Sequence, residues 1–323
     1  MLNAAIVGLG WWGKKLTEAI QGSELICFTC GVTLEPELAA DFCRQHGLKL
    51  STSLDDVLVD PTIQAVVLAT PHTTHRSLVE KAAAAGKHVF CEKPFALNKA
   101  DAQAAIAACR RADVALGVGQ NFRFLPSIAA LHELVASGAL GTIMHAEGNY
   151  SHDWLAAQGR DNWRTALEES RAGGMTGMGI HVLDSFSYLV GPMRRLSALS
   201  RRRVLDLPAG DTTAALLDFA NGATGVLGTT LKTPYIWRIA IFGEHVWAES
   251  VNDNRLVIHR PTGEPEVRDF APVIHQRLNL ESFAAAALGR GRFHIDDAGI
   301  LHTVAALEAV FKSVDADGAW MAL

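Results

Sequence analysis

Apolar residues 2–7 form a short run that stops at Gly8-Leu9-Gly10-Trp11-Trp12-Gly13, after which a helical stretch begins near Lys14. A second strand is predicted over 24–32 and an Ala-rich helix over 36–46. The β-branched run 65–69 suits a strand inside a parallel sheet, and Thr70-Pro71-His72 breaks it. A helix follows over 76–85, closed by Gly86, then a strand over 87–91 that leads into Glu92-Lys93-Pro94. The last pair is a helix over 99–111 and a strand over 115–119. Strands and helices alternating at these lengths predict a doubly wound parallel sheet. Such sheets take ligands outside the carboxyl ends of their strands, the edge where the loops at Gly8, Thr70, Glu92 and Gln120 lie.

The glycine loop has the spacing and the strand–loop–helix setting of a dinucleotide fingerprint. Gly8 permits the tight turn, Gly10 lets a pyrophosphate approach the backbone, and Gly13 lets the helix pack close to the strand. Free N–H groups at the helix start then face the phosphates. A ligand-free tight turn is the plainer alternative, but the βαβ context favours a nucleotide. Gly8, Gly10, Trp11, Trp12 and Gly13 are therefore candidate cofactor residues, joined at the same sheet edge by Thr70, Pro71, Glu92 and Asn121. His72 is placed on the nicotinamide side. His75 is read mainly as a helix start, although it too stands among the candidates.

An acidic residue at the end of the second strand normally holds the ribose 2′-hydroxyl of NAD. Here Gly31-Val32-Thr33-Leu34 occupies that place, and Thr33 carries no carboxylate to repel a 2′-phosphate. This favours NADP over NAD, with Glu35 close by and Arg44 the nearest cation along the chain.

The 323 residues exceed one small core and suit two domains, drawn at 1–122 and 123–323. With 29 basic against 34 acidic residues, no strongly basic face is announced, and nucleic acid is not an expected partner. The chain runs from Met1 straight into its first strand without a signal-peptide pattern, and no apolar run approaches the ~20 residues of a spanning helix. A cytoplasmic location without a membrane partner is the expectation. Five cysteines are too few and too scattered for a disulfide framework. Cys27 and Cys30 fall on a predicted strand, where residues three apart face opposite ways. No metal site is expected.

In the second half, a glycine-rich approach over 173–179 gives way to a helix. At ~100° per residue Met178, Val182, Phe186 and Leu189 share one face. His181, Asp184, Ser185 and Tyr188 cluster on the neighbouring face, either as a solvated side or as the lining of a cleft. A histidine suits proton exchange near neutral pH. Asn121 and Arg123 lie at the cleft edge, where the arginine could bind an anionic group or form a structural ion pair. Residues 152–164, with Trp163 and Arg164 at their end, lack periodicity and read as a loop over a substrate pocket.

GLGWWG, ATPHTTH, AGKHVFCEKP, NFRFLP, the GG…H…D segment, DFANGATG and the closing stretch from ESFAAAALGRG to ALEAVFKSVDADG occur in order. Over nearly its full length the chain resembles the glucose–fructose oxidoreductase / inositol dehydrogenase / rhizopine-catabolism family. The resemblance implies a Rossmann domain to about residue 120 and then an α+β domain with a large open, mostly antiparallel sheet. It also implies a last helix near 298–314 packing back on the first domain, and homodimers or homotetramers through the sheet. Lys93 is then expected beside the nicotinamide and the reacting hydroxyl, often ahead of a cis bond to Pro94, with His181 as the catalytic histidine.

The activity so implied is hydride transfer between NADP or NAD and a secondary hydroxyl or carbonyl of a sugar, cyclitol or similar small molecule. Lys93, His181 and Asp184 would be catalytic, while Arg123, Trp163, Arg164 and Asp184 would meet substrate. One departure matters: the family usually carries an Asp four residues before the histidine, and here that residue is Gly177. Either Asp184 takes over part of its role, or substrate supplies the contact, or hydride chemistry is weak. Two other functions therefore stand beside the first: a glycosidase-type enzyme that retains its dinucleotide, and a nucleotide-bound sensor.

Overall fold

The apolar run at the N-terminus becomes β1 (Leu2–Val7), buried almost throughout, as the centre of a parallel sheet requires. The computed structural model describes residues 1–157 and 162–323. They form two units, Met1–Asn121 with Ile274–Ile300, and Phe122–Val273 with Leu301–Leu323.

In the first unit β1 is followed by α1 (Trp11–Ala19), β2 (Ile26–Val32), α2 (Pro36–Gln45), β3 (Lys49–Ser51) and α3 (Leu54–Val59). Then come β4 (Ala65–Leu68), α4 (His75–Ala84), β5 (His88–Cys91), α5 (Lys99–Arg111) and β6 (Leu116–Val118). The strands pair in the order β3-β2-β1-β4-β5-β6, all parallel. This is the doubly wound sheet expected from the alternation. Helix α1 starts three residues earlier than its apolar pattern suggests, with Gly10 as its N-cap. Strand β3 and helix α3 were not anticipated. Three residues carry no usable periodicity, and β3 exists through its pairing with β2. The core gathers Leu2, Ile6, Ile26, Val67 and Phe90 with Leu280 and Phe283. The last two come from α9 (His275–Ala287), far away in sequence.

The second unit contains α6 (Pro126–Ala136), β7 (Ile143–Ser151), α7 (Trp154–Ala157) and α8 (Gly179–Leu189). Its remaining strands are β8 (Met193–Arg201), β9 (Thr212–Phe219), β10 (Thr224–Thr230), β11 (Ile236–Gly243), β12 (Trp247–Val251), β13 (Arg255–His259), β14 (Glu266–Asp269) and β15 (Met321–Ala322). The nine-stranded sheet runs β14-β13-β12-β11-β7-β10-β9-β8-β15, antiparallel except where β7 meets β10. That matches the open, mostly antiparallel sheet implied by the resemblance. Helix α8 packs so closely on β7 that a Cβ at Gly148 would lie 2.3 Å from a Val182 methyl and 2.9 Å from the Phe186 ring. The segment returning to the first unit is Ile274–Ile300, whereas Leu301–Leu323, with most of α10 (Asp297–Asp315), belongs to the second. Among the described residues no helix is long and apolar enough to cross a membrane.

Candidate active-site residues in the two units

The three glycines of the first loop have different surroundings. Gly8 adopts φ +95°, and a Cβ there would stand 2.5 Å from the Ala69 carbonyl oxygen. A Cβ at Gly13 would fall 1.9 Å from the Gly8 carbonyl oxygen, so helix and strand meet there without room for a methyl group. At Gly10 no heavy atom of the described residues lies within 4 Å of the Cβ position. The turn, the close packing and the open approach are thus divided among three positions. Gly10 caps α1 without a side-chain hydrogen bond, which leaves the helix start suited to an anion. Trp11 stands half-exposed beside it. Trp12 packs against the core, with its Nε1 buried and without a hydrogen-bond partner among the described residues. The loop fits a dinucleotide diphosphate.

At the end of β2 the Thr33 hydroxyl accepts the Glu35 N–H at 3.2 Å, so it serves its own turn. Arg44, the cation nearest to Thr33 in the sequence reading, pairs with Asp41 on the exposed side of α2. Lys14, on α1, was not singled out in the sequence. Its Nζ donates to the Leu38 carbonyl at 3.0 Å and lies over the Phe42 ring at 5.6 Å. A cation from α1 is thereby tied to the first turn of α2, directly after the Thr33–Glu35 corner.

Past β4, the Thr70 and Thr74 hydroxyls are 2.8 Å apart, and His72 follows Pro71 as the first residue of a short 3-10 turn. Its ring centroid is 5.8 Å from that of His75. His75 is fully buried, with Nδ1 2.8 Å from the Pro94 carbonyl oxygen and Nε2 3.1 Å from that of Thr70. Both ring nitrogens face backbone, so His75 ties the loop after β4 to the loop after β5 instead of reaching for a cofactor. The Lys93–Pro94 bond is cis. Glu92 is buried too, its carboxylate accepting the Lys93 N–H at 3.1 Å. Gly119 gives that carboxylate its room, since a Cβ there would sit 2.4 Å from Oε2.

Beyond β6, the Val118 carbonyl accepts both the Gln120 N–H at 2.9 Å and the Asn279 side-chain amide at 3.0 Å. Gln120 Oε1, Asn121 Oδ1 and Asn279 Oδ1 are buried there without hydrogen-bond partners among the described residues. Buried acceptors rarely remain unsatisfied, so this strand end is fitted to a polar ligand. The sequence marks the loop at Gln120 as part of the ligand edge without counting its side chain among the candidates, and Asn279 was not foreseen. Asn279 arrives on α9, and no local pattern links it to β6.

In the second unit α8 is buried along nearly its whole length, His181 and Asp184 included. The solvated-side reading is thus set aside. Arg123 grips Asp184 through two hydrogen bonds, Nε to Oδ2 and Nη2 to Oδ1, each 2.8 Å. The Thr303 hydroxyl donates to Oδ1 at 3.1 Å. The arginine also lies over the Tyr188 ring, which stacks on His132. Of the two roles weighed for Arg123, the structure shows the ion pair, and Asp184 is held by Arg123 and Thr303. Opening such a pair would leave an uncompensated buried charge.

The His181 imidazole stacks on Phe122, with centroids 4.0 Å apart and planes at 20°, and meets Tyr150 edge-on at 5.9 Å. Burial raises the Tyr150 phenol above its ordinary range, so it stays protonated. Phe122 and Tyr150 were not singled out in the sequence, because the contacts arise between a short turn, β7 and α8.

Residues 158–161 of the expected pocket loop lie outside the described residues. Trp163 and Arg164 sit in a 3-10 turn, where Asn162 Oδ1 accepts the Arg164 N–H. The guanidinium covers the Trp163 ring at 4.1 Å. A cavity of about 370 Å³ lies beside them, lined by Trp163, Thr165, Leu207 and Pro208 among others.

Residues 2–120 match the family model described as "Oxidoreductase family, NAD-binding Rossmann fold", and residues 128–249 match the GFO/IDH/MocA C-terminal domain. The chain belongs to the GFO/IDH/MocA oxidoreductase family. Within this family it is 29% identical over 237 residues to levoglucosan dehydrogenase of Pseudarthrobacter phenanthrenivorans, covering 70% of this chain and 61% of the relative. It is 33% identical over 233 residues to D-apiose dehydrogenase of Paraburkholderia graminis, covering 70% and 59%. The chain thus spans about three fifths of the length of these curated relatives. A solved levoglucosan dehydrogenase in complex with NADH and levoglucosan superposes with a TM-score of 0.89 at 22% identity, covering 99% of each chain. At that identity the likeness concerns the fold.

Proposed function

We propose that this GFO/IDH/MocA protein is a nicotinamide-dependent oxidoreductase acting on a secondary hydroxyl or carbonyl of a sugar, cyclitol or similar polyhydroxylated molecule. The division of labour among Gly8, Gly10 and Gly13 carries the proposal, since only Gly10 is left open to a diphosphate. A bound nicotinamide supplies hydride acceptance and donation. The protein holds the reactants and manages the proton. Lys93 polarises the hydroxyl, and His181 takes its proton in oxidation and returns it in reduction. The named dehydrogenases of levoglucosan and D-apiose support a sugar-like substrate.

The proposal extends to NADP in preference to NAD, because Thr33 brings no carboxylate and Lys14 brings a cation to the first turn of α2. It includes a homodimer or homotetramer formed through the open sheet. A cytoplasmic location is part of it, consistent with five free cysteines.

The test combines binding and turnover. Lys93→Ala and His181→Ala should each lower kcat at least ~100-fold, while dinucleotide affinity, read by quenching of Trp11 and Trp12, stays near that of the parent. NADP⁺ should titrate more tightly than NAD⁺. A kcat close to the parent's in either variant removes that residue from the mechanism. Tight binding with no turnover across a panel of polyols and aldehydes would point to the sensor instead. Glycoside cleavage without release of reduced cofactor would point to the dinucleotide-retaining enzyme.

A further inference from the structure

A catalytic imidazole needs a fixed plane, and the most familiar way to fix one is a neighbouring carboxylate. Asp184 does not do this for His181, because Arg123 and Thr303 occupy its oxygens. Four residues before His181 the chain carries Gly177, with no heavy atom of the described residues within 4 Å of its Cβ position.

We propose that Phe122 is a positioning residue for His181, its ring face holding the plane of the imidazole. The inference rests on the reading of His181 as the proton-exchanging group. The near-parallel stack at 4.0 Å restricts rotation of the imidazole out of plane, and an aromatic face attracts the imidazolium once the proton has been taken.

Phe122 is itself firmly held. Trp237 meets it edge-on, with centroids 4.7 Å apart and planes at 82°. The Trp237 indole N–H donates to Ser250 Oγ at 3.3 Å, and Ser250 Oγ is 2.8 Å from Ser127 Oγ. On the other side, the next residue in the chain is Arg123, bonded to Asp184. Phe122 and Arg123 therefore grip α8 at two points one turn apart, by a stack on residue 181 and an ion pair on residue 184. Space filling alone asks for an apolar group at 122 but not for a ring plane parallel to the imidazole.

Three measurements separate positioning from packing. In the parent protein, His181 imidazole proton resonances should be displaced upfield by the Phe122 ring current; ordinary positions overturn the proposal. Phe122→Leu should lower kcat roughly tenfold or more with KM within about threefold, while Phe122→Tyr, which keeps the ring, should stay within about threefold of the parent. Adding Gly177→Asp to Phe122→Leu should recover most of the loss, since the Cβ position at 177, in the turn ahead of α8 and four residues before His181, has no heavy atom of the described residues within 4 Å. A Phe122→Leu protein that keeps its kcat while His181→Ala loses it refutes the positioning role alone. If His181→Ala keeps its kcat, the reading of His181 fails instead. Should Phe122→Leu not fold, the ring-current measurement on the parent decides.

Discussion

At the scale of single residues, the glycine loop separates stability from binding. At Gly13 the atom opposing a Cβ is a backbone oxygen at 1.9 Å, which cannot swing aside. Gly13→Ala should therefore cost about 3 kcal/mol of folding stability. Gly10→Ala meets no protein atom and should change stability by only about 1 kcal/mol, yet lower dinucleotide affinity at least tenfold by placing a methyl group where a phosphate must approach. Denaturant melts and fluorescence titrations of the two variants check this contrast; equal affinity in Gly10→Ala and the parent would remove that glycine from the site. These roles were legible because a backbone constraint needs only the residue and its neighbours in sequence. The role of His75 was not, since its partners are carbonyls of two separate loops.

At the scale of elements, legibility followed how local each element's causes are. Helix α5 occupies the span its pattern predicts, with Asn98 at its N-cap accepting the Asp101 N–H and Asp113 in the left-handed region just past its end. Helix α8 was placed correctly along the chain, but its polar face was ambiguous. A buried salt bridge and a solvated one draw on the same residue types, and only the arrival of Arg123 and Thr303 distinguishes them. Because both side chains of the pair are buried, Asp184→Ala should destabilise the protein by roughly 3–5 kcal/mol. Replacing both members, Arg123→Leu with Asp184→Leu, should recover part of that loss. Chemical denaturation of the two variants measures it, and a loss below about 1 kcal/mol in Asp184→Ala would contradict the role given to the pair.

At the scale of the whole molecule, the nine-stranded sheet presents one face to helices, as Gly148 against α8 shows. On its other face Leu199 of β8 and Leu216 of β9 remain about half exposed on adjacent strands. The same face carries the stacked rings of Phe242, Trp247 and His259 across β11, β12 and β13. Apolar side chains gathered on a sheet face favour association. Sedimentation should find at least two copies of the chain together, and Leu216→Lys should shift that equilibrium towards the single chain without loss of fold. A parent that sediments as a monomer at micromolar concentration would remove the oligomer from the proposal.

The sequence by itself determined the parallel sheet, the glycine turn and the family, because period, punctuation and motif are written along the chain. Tertiary structure alone decided which side chains touch. It engaged Asp184 and Arg123 with each other, brought Asn279 from α9 to the end of β6, and laid Phe122 against His181. Each of these joins residues about 60 or more positions apart, and such contacts depend on how elements pack, which no local pattern encodes.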